Sequence, residues 1–146
     1  SYLFEDLCFS GDVGGVRIPG FPYLRAPMPP PELHFAKWRE SISHLKSLKF
    51  ARIAPTHFGI FDDVNWHLNE LQKNLDEAEK WLEEIMPADP PVDELREKFT
   101  VWMNAQAASL SLSEAVRSAY TLANPLGMGA DGLMRYWKKV RSSPMA

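Results

Sequence analysis

Cys8 is the only cysteine in the 146 residues, which excludes an internal disulfide and suits a reducing cytoplasm. No apolar run approaches the roughly 18 residues that a membrane-spanning helix needs, so no membrane association is expected. Blocks of like charge are missing, and a net charge of -3 argues against a nucleic-acid surface. The N-terminus lacks a basic stretch followed by a long apolar one, so no signal peptide is expected. Phosphate-cradling glycine patterns are absent: neither Gly-x-x-x-x-Gly-Lys followed by Ser or Thr nor Gly-x-Gly-x-x-Gly occurs. The Gly-x-Ser-x-Gly elbow of serine hydrolases is absent too. Cys8 lies in an apolar run where a thiol is inert, which argues against a cysteine nucleophile.

What is present is apolar enough, at 45% hydrophobic residues, to bury the core of one domain or two small ones. Tyr2-Leu3-Phe4, Glu5-Asp6 and Leu7-Cys8-Phe9 read as strand, turn and strand. Gly11 to Pro31, rich in glycine and proline, reads as a long surface loop, a length that in compact domains is functional or disordered. From Glu32 to Lys49 the residues Phe35, Trp38, Ile42 and Leu45 fall on one helical stripe, with Pro31 suited to the first turn. Phe50 to Ala54 is a short strand candidate that Pro55 stops. Strand, loop, helix and strand together make a β-α-β crossover, whose parallel strands end on one sheet edge. In layered α/β folds that edge is where ligands bind. Here the two strand ends carry Asp12 and, just past Pro55-Thr56, His57.

After His57 the pattern is helical. A long helix capped by Asp62 or Asp63 carries the stripe Val64, Leu68, Leu71, Leu75, Ala78, Leu82 and Ile85, and Pro87, Pro90 and Pro91 end it. A second runs from about Val92 to Ala108 and groups Leu95, Phe99 and Trp102. A third starts near Ser111 or Ser113 with Leu112, Val116, Ala119 and Leu122, and a fourth follows Gly132 with Leu133, Trp137 and Val140. Short connections favour antiparallel neighbours, hence a small bundle or layer. The two parts meet near Gly59 to Asp63, dividing the chain into residues 1–61 and 62–146.

Two residues stand out chemically. In Phe9-Ser10-Gly11-Asp12-Val13-Gly14-Gly15 the glycines allow a sharp turn and a close backbone approach to a ligand, and the Asp12 carboxylate is a hard ligand for a divalent metal. An aspartate in a glycine turn is also common without any ligand. His57, between Pro55 and Gly59, offers the commonest nitrogen donor for zinc, although a strand-end histidine is often only a hydrogen-bonded surface residue. His34, His44 and His67 read as structural, and Trp38, Trp66, Trp81, Trp102 and Trp137 as core or interface.

Taken together, LCFSGDVGGVRIPG, a helix, and ARIAPTHFG, with Asp12 and His57 45 positions apart, resemble the C-terminal half of the metallo-β-lactamase fold. The tail ANPLGMGADGLMRYWKK, Ala123 to Lys139, is similar to a branch with a proline-rich loop and a helical C-terminal extension. The fold class implied is α/β (α+β): half of an αββα sandwich over residues 1–61, then a helical extension over 62–146. By that resemblance Asp12 bridges two divalent metal ions, zinc first with iron or manganese as alternatives, and His57 holds the second ion. Ser10 stands where threonine is usual. The family's His-x-His-x-Asp-His motif is absent from these 146 residues, as is the histidine that normally precedes the Gly-Asp strand end. The chain looks like a family member cut just after that histidine, expected to bind metal weakly and to be inactive alone, since a catalytic zinc needs about three protein ligands.

The resemblance implies a cytoplasmic hydrolase of a small-molecule ester, thioester, lactone or amide. Arg17 and Arg25, in the expected loop Val13 to Pro31, could line the substrate entrance and pair with a carboxylate or phosphate; a solvated loop is the equal alternative. A reading from another class is a non-catalytic binding module whose helices pack against a partner, for instance as a homodimer.

Overall fold

The central strand of the sheet is β2, Leu7–Arg17, in a computed structural model that describes residues 1–141. It follows β1, Tyr2–Phe4, through the expected hairpin: the strands are antiparallel, with Tyr2 opposite Phe9 and Phe4 opposite Leu7. The Glu5-Asp6 turn lacks glycine, and Glu5 itself takes the left-handed conformation at φ 53. The Asp6 carbonyl accepts from the amides of Ala51 and Arg52, and the Asp6 carboxylate pairs with the Arg52 guanidinium at 2.6 Å.

β2 does not stop at Phe9, and the loop expected from Gly11 is in its first third a continuation of the strand. Its backbone groups find partners on both sides. β3, Leu24–Arg25, lies antiparallel to it with Val16 opposite Arg25, and β4, Arg52–His57, runs parallel on the other side. Between β3 and β4 comes α1, Phe35–Ser47, three residues shorter at its start than expected, burying Phe35, Ile42 and Leu45. The β-α-β crossover is therefore present as β2-α1-β4. Pro55 does not end β4 but lies within it, opposite Gly11, where the register shifts. A proline lacks only a donor, and an irregular point in the ladder is where that lack is tolerated. On the far side of β4 the chain returns, and Ile53 and Phe61 exchange backbone hydrogen bonds of 2.8 and 2.9 Å.

The helical part matches the sequence most closely in α2, Val64–Ile85, whose Leu68, Leu71, Leu75, Ala78 and Leu82 are all buried. A short 3-10 turn, Met86–Ala88, follows it, then α3, Val92–Ser109, which buries Leu95, Phe99, Met103 and Ala107. α4, Glu114–Ala123, starts at the Ser113 cap, whose hydroxyl accepts from the Val116 amide at 3.4 Å. Its expected stripe is wrong at one end: Tyr120 is fully buried and Leu122 is 84% exposed. Leu122 lies six residues beyond Val116, which at 3.6 residues per turn points it away from that face. α5, Leu126–Tyr136, begins behind Pro125 rather than after Gly132. Two glycines are tolerated inside it because neighbours press on the backbone: the Phe99 ring against Gly129 and the Met28 carbonyl against Gly132.

The chain is mixed α+β, with five α-helices and a four-stranded sheet among the described residues. It divides into two compact units, residues 1–27 with 35–78, and residues 28–34 with 79–146. α2 thus contributes its first four turns to the sheet unit. In the second unit Trp81, Phe99 and Trp102 form one aromatic cluster, with centroids 5.3 to 5.8 Å apart. His34 precedes α1 and belongs to this unit, its ring edge-on to Tyr136 at 6.1 Å. No helix of the described chain is long and apolar enough to cross a membrane.

Candidate functional site

The carboxyl ends of β2 and β4 lie side by side, and the ladder between them is broken in a specific way. Gly11 is opposite Pro55 and Val16 is opposite His57. Between those pairs β2 spends Asp12, Val13, Gly14 and Gly15, while β4 spends only Thr56. The surplus forms a bulge, and a bulge bends its strand and re-aims side chains. Asp12 is the first residue of that bulge and is exposed; His57, the last residue of β4, is half-buried. The register thus brings into one stretch of paired backbone the two residues that the sequence singled out.

The glycines are required by the bulge rather than by Asp12 alone. Gly15 has φ +76, and a Cβ there would stand 2.8 Å from the Arg25 carbonyl and 3.2 Å from Leu71 Cδ1. A Cβ on Gly14 would collide with the Ser10 side chain and come within 3.1 Å of Pro55 Cβ. Ser10 is itself buried, its hydroxyl 3.4 Å from the Ala54 carbonyl oxygen. On the other strand, Phe58 directly after His57 takes φ 65, a conformation that costs a bulky residue of order 1–3 kcal/mol. Both candidate ligands therefore border backbone that departs from the regular ladder.

Two helices hold the bulge by its carbonyls. Trp38 on α1 donates its indole N–H to the Val13 oxygen at 3.0 Å. His67 on α2, fully buried, meets the Gly14 oxygen through Nε2 at 2.7 Å. A carbonyl can only accept, so Nε2 carries the proton and Nδ1 is bare in the neutral ring. Burial holds the ring below its ordinary value near 6.5; the Gly14 hydrogen bond and the Asp63 carboxylate oppose that, and the Arg17 charge reinforces it. The Nδ1 side faces Arg17 Nη1 at 3.5 Å. From sequence alone Trp38 reads as core or interface and His67 as structural. Neither periodicity nor spacing signals an N–H aimed at a backbone carbonyl 25 or 53 residues away.

Arg17 ends β2 and forks onto Asp63, with Nη1 and Nη2 at 2.5 and 2.7 Å from the two carboxylate oxygens. The guanidinium also lies over the rings of Phe61 and Trp66, at 4.3 and 4.4 Å from their centroids. Its side chain is 11% exposed, so meeting a substrate carboxylate or phosphate would require it to exchange Asp63 for that anion. Arg25 is buried at 1% exposure and donates from Nε to the Tyr23 hydroxyl at 3.0 Å, so a substrate would reach it only after the surrounding chain opened. Cys8 is buried as well, and burial pushes its thiol up, as an inert core cysteine requires.

Asp12 and His57 are one hard carboxylate and one imidazole, a donor set that fits zinc and its neighbours. Among the described residues no group of three or more His, Cys, Asp or Glu side chains could hold a metal ion. Asp12 and His57 are two donors, one short of the three protein ligands that a catalytic zinc needs. Comparison of the chain with protein-family models, with curated proteins and with solved structures yields no match.

Proposed function

We propose that the chain is the C-terminal part of a metal-dependent hydrolase of the metallo-β-lactamase fold, acting on a small-molecule ester, thioester, lactone or amide. The observation that carries the reading is the parallel β2–β4 register, with Asp12 in a glycine-supported bulge beside the strand end that bears His57. Bound divalent ions, zinc first, would supply Lewis acidity that lowers the pKa of water toward neutrality. Asp12, exposed and carrying two oxygens, would bridge two ions, and His57 would hold the second through a ring nitrogen. Two donors fall short of a catalytic zinc's three or so protein ligands, so further donors would have to complete the shell of each ion. Arg17, held by Asp63, Phe61 and Trp66, keeps the end of β2 rigid beside the bulge.

Metal analysis of the intact protein tests this reading: Asp12→Ala and His57→Ala should each lower the bound zinc by at least half. Unchanged metal content in both variants would sink it. A binding or dimerisation role for the helices is the second reading, favoured by the 70% and 84% exposure of Val101 and Leu122. Its test is the mass in solution: Leu122→Asp should split a dimer, and a wild-type monomer excludes self-association.

A further inference from the structure

The bulge that carries Asp12 is made of residues that cannot fix their own conformation. Gly14 and Gly15 have the widest backbone freedom of any residue, and four residues of β2 face one of β4, so the ladder does not hold them. Two consecutive carbonyls of the segment, those of Val13 and Gly14, instead accept ring N–H groups from two different helices. The donors are rigid rings, so each fixes its acceptor in direction as well as distance. The His67 bond, at 2.7 Å and fully buried, lies where water cannot replace it. The Trp38 bond, at 3.0 Å, is half-buried. Trp38 and His67 both belong to the same compact unit as the bulge.

We infer that Trp38 and His67 are positioning residues that clamp the Val13 and Gly14 carbonyls and so hold Asp12 in a ligand-ready place at the start of the β2 bulge. The assignment of Asp12 as a ligand rests on the function proposed above; the clamp itself does not. Neither ring touches a metal ion or substrate in this scheme. Their contribution is to remove the backbone freedom that two glycines introduce next to the carboxylate. A site is useful only when its donors are held to within about 0.5 Å of the productive geometry, and here that precision has to come from the supporting residues.

The test uses the intact protein with Trp38→Phe, His67→Leu and His67→Gln. Phenylalanine and leucine keep apolar bulk and remove the N–H, whereas glutamine places an amide N–H near the position of Nε2. Amide hydrogen exchange of Asp12 to Gly15 is measured against the core amides of Leu71 and Leu75 in the same molecule. The clamp predicts at least tenfold faster exchange of the bulge in Trp38→Phe and His67→Leu, with core amides unchanged, and recovery in His67→Gln. Bulge exchange equal to wild type in both donor-less variants, or no recovery with glutamine, overturns the clamp. Titration with Co2+ separates the two ideas. Asp12-dependent binding that weakens in His67→Leu and returns in His67→Gln supports both. Cobalt binding that ignores Asp12, together with faster bulge exchange, overturns the metal reading and leaves the clamp standing.

Discussion

Arg17 and Asp63, 46 residues apart in sequence, are joined by two parallel hydrogen bonds of 2.5 and 2.7 Å, with the guanidinium stacked on Phe61 and Trp66. The fork ties the end of β2 to the residue before α2. Lysine offers a point charge without a planar fork and stacks poorly, so Arg17→Lys is not conservative here. Arg17→Lys should cost about 1–3 kcal/mol in urea unfolding, combining a charged hydrogen-bonded pair and the ring contacts. Asp63→Asn should cost less, and the double variant less than the sum, because the two residues share one interaction. Strict additivity would mean that the pair is not coupled.

The buried His67 predicts a pH dependence of stability. Its folded-state pKa is depressed, chiefly by burial, so the unfolded chain binds its proton first, near 6.5. Stability from this group is complete above that value and is lost as pH falls through it toward the folded-state pKa. The charges facing the ring are Arg17 and Asp63, and Asp63 is itself held low by the Arg17 hydrogen bonds, so it stays ionised across that window. The difference in unfolding free energy between wild type and His67→Gln, followed from pH 8 to pH 5, should shrink as the solution is acidified. A constant difference would show that the ring takes up its proton over the same pH range in the folded and unfolded states.

Gly14 and Gly15 predict two different responses to a methyl group. Gly15→Ala meets backbone, the Arg25 carbonyl, at a left-handed φ, and should destabilise by at least roughly 1–3 kcal/mol. Gly14→Ala meets a side chain, the Ser10 hydroxyl. Ser10→Ala should therefore recover part of the Gly14 loss and none of the Gly15 loss. Thermal unfolding of the four variants checks this, and equal effects of Ser10→Ala on both would refute it.

Tyr120 and Leu122 are two residues apart on α4 and have opposite exposures. Tyr120→Ala should cost roughly 3–5 kcal/mol, as for other large buried rings. Leu122→Ser should stay within about 0.5 kcal/mol, as at an exposed surface site. The reverse order in denaturant unfolding would restore the stripe that the sequence suggests for this helix.

Long elements are legible in the sequence. The Leu68, Leu71, Leu75, Ala78 and Leu82 stripe of α2 repeats often enough that only one face can be buried. The hairpin and the β2-α1-β4 crossover followed from local apolar runs and the length of chain between them, which also put Asp12 and His57 on neighbouring parallel strands. Shorter elements were less legible. α4 has only ten residues, few enough that one misplaced apolar residue, Leu122, completes a false stripe. The glycines of α5 suggested a late start because propensity alone does not report that Phe99 and Met28 need the space.

The sequence by itself determined which residues can carry chemistry and roughly where they fall, because side-chain type and hydrophobic period are local properties. It placed Asp12 and His57 on the two parallel strands of one crossover, and put His57 at the end of its strand. Tertiary structure decided that β2 continues past Asp12, that four residues bulge opposite Thr56, and that Pro55 lies inside the ladder. It also decided that the bulge is held by Trp38 and His67 and that Arg17 is paired with Asp63. Those contacts join residues 25 to 53 positions apart. Which N–H meets which carbonyl depends on how two helices settle against the sheet, and no local pattern encodes that.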